Sequence, residues 1–196
     1  NAPTLTTPGA DAQAMSKALR DLGFEVTVLT DVGPEVFDAV LSTFSEQAKE
    51  AETVLFYYSG HAFQMGGVNR LVPVTAKLDD PAKLEAQTWA LDDIAKRLRG
   101  GSSQLLIFLD ACRTNPLPEG VQASGQSGLA QYDGGTGTFV AFATAPGQVA
   151  WDKTEGSANS PFTGALLSRI AKPGQSISDL MIAVRNDVDQ ATGGKQ

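Results

Sequence analysis

The chain has 196 residues, of which 42% are hydrophobic, and a formal net charge of −7. That length suits one α/β domain with a sizeable core. The net acidity argues against nucleic acid as the main partner, because phosphate binding needs clustered Lys and Arg, but it is compatible with a cationic substrate. The single cysteine permits no internal disulfide and no cysteine-rich zinc site. No apolar run approaches the ~18 residues of a membrane span, and the start does not resemble a signal peptide. We expect no membrane partner and a cytoplasmic location, with the periplasm as the alternative.

In the first half of the chain, helical spacing and β-branched alternation predict the elements. They are a loop over 1–9, a helix over 10–22 stopped by Gly23, a strand over 24–29, a helix from Gly33-Pro34, and a strand over 53–58. Gly66-Gly67 then predicts a turn. The short strand expected over 70–74 is placed at the periphery, because Pro73 cannot donate to a ladder.

The second half continues the alternation of apolar strands and amphipathic helices. Its elements are an irregular region after Asp79-Asp80-Pro81, a helix over 89–98, a strand over 104–109, a flexible Gly- and Ser-rich loop over 114–137, a strand over 138–142, a loop over 144–159, a helix from Ser160-Pro161 to about 171, and a last helix capped by Ser176. This pattern predicts an α/β fold with a mainly parallel sheet.

The only cysteine and the only histidine each follow an apolar strand. Cys112 comes three residues after the strand over 104–109, and His61 comes three residues after the strand over 53–58. We interpret the two strands as parallel neighbours. Ligands bind beyond the carboxyl ends of parallel strands, so both side chains are expected at one edge of the sheet. A thiolate beside an imidazole can act as a nucleophile with its acid/base partner. The alternative is a buried structural cysteine and a core histidine, which is the commoner case for such a pair. Two features favour the site: each residue follows Gly or Ala, and each lies in a polar segment.

Several stretches of the chain carry a family resemblance. They are Phe56-Tyr-Tyr-Ser-Gly-His61, Asn69-Arg-Leu-Val-Pro73, Phe108-Leu-Asp-Ala-Cys-Arg-Thr-Asn-Pro116, Gly137-Thr-Phe-Val-Ala-Phe-Ala-Thr-Ala-Pro-Gly147 and Asn159-Ser-Pro-Phe-Thr-Gly-Ala-Leu-Leu167. The chain resembles the caspase-like cysteine peptidases, and most closely the bacterial branch near the metacaspases, the orthocaspases. His61 also precedes Cys112 by ~50 residues, the spacing typical of caspases. The resemblance implies one caspase-like domain over 1–196, a three-layer sandwich with helices on both faces of a mainly parallel sheet.

The resemblance also implies a mechanism. Cys112 would attack a peptide carbonyl, and His61 would protonate the leaving amine. The backbone N–H groups of Cys112 and Ala62 would hold the oxyanion. Ala62 stands where the family usually has glycine. The N–H survives this change, but glycine reaches backbone conformations that alanine avoids.

The residues that line the family's specificity pocket match acidic and polar positions in this chain. Caspases proper select Asp with basic residues, whereas metacaspase-like enzymes select Arg or Lys with acidic ones. Asp110, Asp11 and Ser59 match the acidic pattern, which implies an endopeptidase that cleaves protein or peptide substrates after Arg or Lys. For Asp110 the alternative is a strand-end cap. For Asp11 it is a first-turn residue favourable to the helix dipole. The neighbouring Tyr57 and Tyr58 are expected to pack.

Two other functions stay open. The first is a caspase-like binding or scaffold module with weak or no activity, which only Ala62 favours. The second is a different thiol chemistry, such as acyl or peptidyl transfer. No cofactor or resident metal is expected. Asp79-Asp80 could contribute to a calcium site, although adjacent acids are more often a solvated turn.

The loop over 114–137 contains no Lys or Arg. Self-cleavage of a basic-specific enzyme is therefore not expected there, and Lys153 is the better candidate. Relatives begin with a strand before the loop over 1–9 and continue past Gln196. We therefore expect the native protein to have that strand, and a regulatory domain or partner protein is a further possibility.

Overall fold

A computed structural model describes residues 2–100, 104–111, 116–117, 128–145, 150–154 and 156–196. Cys112 and much of the predicted loop over 114–137 lie outside this part of the chain. The helices are α1 Pro8–Asp21, α2 Pro34–Gln47, α3 Leu84–Gln87, α4 Leu91–Leu98, α5 Pro161–Arg169 and α6 Ile177–Thr192, and the strands are β1 Thr53–Ser59, β2 Ala62–Met65, β3 Val68–Leu71, β4 Trp89–Ala90, β5 Gln104–Asp110 and β6 Thr138–Phe142. Among these helices none is both long and apolar enough to cross a membrane.

The main sheet is parallel and has the order β1-β5-β6. Its register places Ser59 opposite Asp110 and Leu109 opposite Phe142. The central strand β5 is buried along nearly its whole length, as expected for an apolar strand that is covered on both faces. The prediction that the strands before His61 and Cys112 are parallel neighbours is confirmed.

Helices cover both faces of this sheet, because side chains of β5 alternate between two apolar clusters. On one face Leu105, Ile107 and Leu109 join Leu41 of α2 and the α4 residues Leu91, Ile94 and Leu98. On the other face Phe108 joins residues of α1, α5 and α6: Met15, Leu19, Phe162, Leu166, Leu180, Val184 and Val188. The predicted three-layer α/β sandwich is confirmed.

A second, antiparallel sheet has the order β2-β3-β4. Its hairpin turns at Gly66 and Gly67, whose φ angles of 60° and 82° lie in the left-handed region that favours glycine. The strand predicted over 70–74 is in fact β3, which ends before Pro73, and β2 was not predicted. The helix predicted over 89–98 begins at Leu91 because the preceding pair forms β4.

The prediction of a strand over 24–29 was wrong, because these residues pair with no strand. The N–H of Phe24 donates to the carbonyl of Leu19, and the Arg20 guanidinium donates to the carbonyl of Val26 at 3.0 Å. Phe24 and Val26 still pack against the α1 side of the core. The alternating sequence thus specifies which side chains face inward, but a strand also needs a neighbour within hydrogen-bonding reach. In the described part of the chain, β1 is an edge of the main sheet.

The last two helices begin at the predicted caps. The Ser160 hydroxyl accepts a hydrogen bond from the N–H of Thr163 at 3.0 Å, and the Ser176 hydroxyl accepts one from Asp179 at 3.1 Å. Ser160 is fully buried. The start of α5 therefore reaches the edge of the main sheet where β5 ends.

Candidate active site

His61 lies just beyond β1, at the same edge of the sheet as the end of β5. The N–H of Gly60 donates to the carbonyl of Asp110 at 3.1 Å, which continues the parallel pairing past β1. Ala111 follows Asp110, the last residue of β5, and is 1% exposed. The strand ends are thus brought together as predicted. Cys112 itself lies outside the described residues, so its place beside His61 stays a prediction.

Tyr58 holds the backbone at His61, a role that the sequence prediction of simple packing missed. Its hydroxyl donates to the His61 carbonyl at 2.7 Å, and the N–H of Val72 donates to the same carbonyl at 3.0 Å. A Cβ at Gly60 would lie 2.6 Å from that hydroxyl and 2.8 Å from the ring. Glycine is therefore required at position 60 for the tyrosine to pass beneath the chain.

A backbone carbonyl fixes the His61 ring. The Nε2 atom lies 2.6 Å from the carbonyl oxygen of Pro3. Because a carbonyl oxygen can only accept a hydrogen bond, Nε2 carries the proton in this arrangement. In the neutral ring Nδ1 is then the basic nitrogen. The sequence predicted a loop over 1–9 and gave Pro3 no role.

The segment that carries Pro3 is held at both ends. At one end Ala2 packs against a small apolar cluster of Phe63, Leu78, Leu84 and Leu117. At the other end Thr6 and Thr7 donate to the side chain of Asp152, with contacts from both backbone N–H groups and both hydroxyls. Sequence reasoning also missed Asp152, because nothing in the pattern links it to residues about 145 positions earlier.

Asp110 is completely buried beside the start of α5. Its Oδ2 atom accepts hydrogen bonds from the hydroxyl of Ser160 and, at 2.8 Å, from that of Thr163. Buried carboxylates persist only where such donors compensate for lost water. Asp110 therefore occupies a buried polar site in which the hydroxyls at the start of α5 supply its hydrogen-bond donors.

Asp11 is also completely buried, in the first turn of α1. Its Oδ2 accepts from the Ser59 hydroxyl at 3.1 Å, and its Oδ1 accepts from the Asn159 amide at 2.9 Å and the Ser160 N–H at 3.1 Å. Ser160 thus contacts both carboxylates. The three predicted pocket residues, Asp11, Ser59 and Asp110, lie in one continuous hydrogen-bonded network.

The pKa of Tyr57 shows how far the negative charge of this network extends. Burial raises that pKa well above its ordinary value of 10.0, and the charges of Asp110 and Asp11 raise it further. The hydrogen bonds with Thr163 and Ser59 act in the opposite direction. Tyr57 is therefore a neutral hydroxyl, 2.5 Å from the Thr163 oxygen. It can donate to Thr163, which in turn donates to Asp110.

Ala62 begins β2 and is 2% exposed. Among the described non-glycine residues only Asp31 has a positive φ, so Ala62 adopts a backbone conformation open to any residue. It is paired with Leu71, and the bond from Val72 to the His61 carbonyl makes that pair a non-hydrogen-bonded one. The N–H of Ala62 is therefore not used in the ladder with β3.

The two adjacent acids considered for calcium lie in a turn. Asp80 accepts from the N–H of Ala82 at 3.1 Å and pairs with Lys83 at 2.8 Å. Lys83 is the main cause that lowers the pKa of Asp80. The described residues contain no group of three or more His, Cys, Asp or Glu side chains that could hold a metal ion.

Comparisons with known proteins agree with this architecture. The sequence profile of the family described as Caspase domain (Peptidase_C14) matches residues 1–196. Among solved structures the chain is similar to pro-sf-caspase-1, with a TM-score of 0.60 and 20% identity over 93% of this chain and 69% of that chain. At this identity the likeness shows the fold. The search of curated proteins found no significant match.

Proposed function

The chain belongs to the caspase domain family of cysteine peptidases, and from this premise we propose that it is an endopeptidase that cleaves proteins after Arg or Lys. Cys112 is its nucleophile and His61 its acid/base. The substrate is a protein or peptide with a basic residue at the cleavage position, and no cofactor takes part in the chemistry.

The buried acidic pair is the observation that carries the proposed specificity. Asp11 and Asp110 are both fully buried and are joined through Ser160 at the edge of the sheet where His61 lies. Two carboxylates with fixed hydroxyl and amide donors form a rigid negative site. A guanidinium or ammonium group is the side chain that such a site binds most strongly.

In the proposed reaction His61 takes the thiol proton of Cys112 through Nδ1, and the thiolate attacks the scissile carbonyl carbon. The same nitrogen then donates its proton to the leaving amine as the C–N bond breaks. Water hydrolyses the resulting thioester. The Pro3 carbonyl on Nε2 supports this assignment, because it keeps Nδ1 as the nitrogen that exchanges protons. The N–H groups of Ala62 and Cys112 hold the oxyanion.

A peptide panel tests the proposal. Fluorogenic peptides with Arg, Lys or Asp at the cleavage position are compared on the wild-type protein and Cys112→Ala. We expect turnover of the Arg and Lys peptides that Cys112→Ala abolishes. Turnover of none would favour the binding or scaffold module, and turnover of Asp alone would refute the pocket assignment. Mass spectrometry of the products separates hydrolysis from peptidyl transfer.

A further inference from the structure

Residues 2–7 form a short strap across the candidate active site, and its attachment to a distant loop suggests an additional role. We propose that Asp152 is a positioning residue for His61. By holding Thr6 and Thr7, Asp152 fixes the strap so that the Pro3 carbonyl binds the Nε2–H of His61. The effect of Asp152 on catalysis rests on the proposed function, whereas its effect on the His61 ring does not.

The contact between Asp152 and the strap uses both oxygens of the carboxylate. Oδ2 accepts from the Thr6 N–H at 3.0 Å and from the Thr6 hydroxyl at 2.6 Å, while Oδ1 accepts from the Thr7 hydroxyl at 2.9 Å and its N–H at 3.4 Å. Hydrogen bonds to an ionised acceptor are about twice as strong as neutral ones. Thr7 is 1% exposed and precedes α1, whose positive N-terminal end also favours a carboxylate.

The strap is short enough to transmit this hold to Pro3. Only residues 4 and 5 separate Pro3 from Thr6, and Ala2 is packed in its apolar cluster on the other side. The proline ring further restricts the backbone at the carbonyl that contacts His61. Loss of the Asp152 carboxylate would release Thr6, and Pro3 would then be anchored by Ala2 and by the more distant Thr7, whose hydroxyl also donates to the Asp152 backbone carbonyl at 3.0 Å. The 2.6 Å contact with Nε2 would then no longer be the favoured geometry.

Asp152 acts on His61 separately from the specificity pocket. Asp11 lies in the helix that follows Thr7, but it has its own contacts with Ser59, Asn159 and Ser160. Loss of Asp152 therefore leaves the pocket acid in place. The expected signature is a lower kcat with little change in KM or in preference for a basic side chain.

The direct test uses the single histidine of the chain. With 15N-labelled imidazole, the NMR spectrum of the whole protein reports only His61. We expect the Nε2–H tautomer in wild type and a mixture of tautomers in Asp152→Ala. Lys153→Ala, at the exposed neighbouring position, should keep the wild-type spectrum. An unchanged tautomer in Asp152→Ala would overturn the proposal whether or not the chain is a peptidase.

Kinetics supply the second test. We expect the kcat of Asp152→Ala on an Arg peptide to fall about 10- to 100-fold, the range produced by a misplaced catalytic group, with KM within about twofold. Asp152→Asn keeps one carbonyl oxygen as an acceptor, so its kcat should fall less than that of Asp152→Ala. Thr6→Ala should add little to Asp152→Ala, because both changes break the same contact. A changed preference among Arg, Lys and Asp peptides would overturn the proposal by making Asp152 a pocket residue.

These measurements separate the two proposals. Absence of turnover in the wild-type protein would refute the proposed function, and the tautomer measurement would still decide the role of Asp152. If circular dichroism shows that Asp152→Ala does not fold, Asp152→Asn and Thr6→Ala decide it by the same spectra. Wild-type tautomer populations in both milder variants would overturn the proposal.

Discussion

Replacement of Asp110 by asparagine isolates the charge of the proposed pocket from its shape. Asparagine has nearly the same volume, and its carbonyl oxygen can accept the hydrogen bonds that Ser160 and Thr163 now donate to Oδ2. The hydroxyl network should therefore survive. What disappears is one of the two buried negative charges that we propose face an incoming guanidinium.

The size of the effect follows from burial. Loss of one partner in a buried, hydrogen-bonded charge pair costs about 2–5 kcal/mol of binding free energy. Asp110 is 0% exposed, so water does not screen it. Because Asp11 keeps its charge and asparagine remains a polar acceptor, we take the lower part of that range. A loss of about 2–3 kcal/mol corresponds to a ~30- to 150-fold fall in kcat/KM for an Arg peptide.

The assay compares two peptides that differ only in Arg or its neutral analogue citrulline at the cleavage position. Asp110→Asn should lower kcat/KM for the Arg peptide by the amount above and change the citrulline peptide by less than about threefold. Asp187→Asn, the same chemical change on α6, is the matched control. An Arg loss below about threefold, or equal losses on both peptides, would refute the charge argument.

Three further predictions concern the support of His61, the ion pair between α5 and α6, and the processing of the chain. Gly60→Ala should lower kcat about 10- to 100-fold while the fold is retained, because the added methyl displaces the Tyr58 ring that braces His61. The control is Gly164→Ala, where the added methyl meets nothing within 4 Å, and this variant should keep full activity. Equal kcat values in the two variants would contradict the reasoning. Asp187→Asn should lower the melting temperature at pH 7, and the difference should shrink as the pH falls below ~3.9. The hydrogen bond from Arg169 lowers the Asp187 pKa, so the stabilisation is fully present above the unfolded pKa of ~3.9 and is lost as pH falls through the folded pKa. A difference that does not shrink as the pH falls would exclude this cause. Denaturing gels of active enzyme should show no cut between 114 and 137 and, where nicking occurs, a cut after the exposed Lys153 that Lys153→Ala removes; a clean cut inside 114–137 would contradict the basic-specific pocket.

The core of the fold was predictable because its signals are local and strong. The apolar runs of β1 and β5 are short and are bounded by polar strand ends, and the caps at Ser160 and Ser176 fix the starts of α5 and α6. The alternation of β5 side chains between the two clusters follows from strand geometry alone. The resemblance also singled out the three residues of the hydrogen-bonded network: Ser59 and Asp110 each lie two residues before His61 or Cys112, and Asp11 opens the first helix.

The missed features depend on contacts that have no local signature. The partner of His61 is a backbone carbonyl, which every residue possesses, so nothing marked Pro3 in the sequence. Asp152 reaches the strap across most of the chain length. The residues at 24–29 have strand-like alternation, but the presence of a pairing partner is a property of the sheet. Each failure concerns a backbone group whose partner is fixed only by the tertiary structure.

The loop between β6 and α5 contacts both the strap at His61 and the buried carboxylate of Asp11. Asp152, in the middle of this loop, binds Thr6 of the strap whose Pro3 carbonyl contacts His61, while Asn159 and Ser160, at the end of the loop, bind Asp11. Both attachments flank the first turn of α1, so one loop supports both the strap at His61 and the carboxylate of Asp11. Lys153 lies between the two attachments. A cut there would leave Asp11 held by the α5 side while Asp152 remains on the β6 side. Cleavage after Lys153 is therefore expected to reduce the rate more than the preference for a basic side chain.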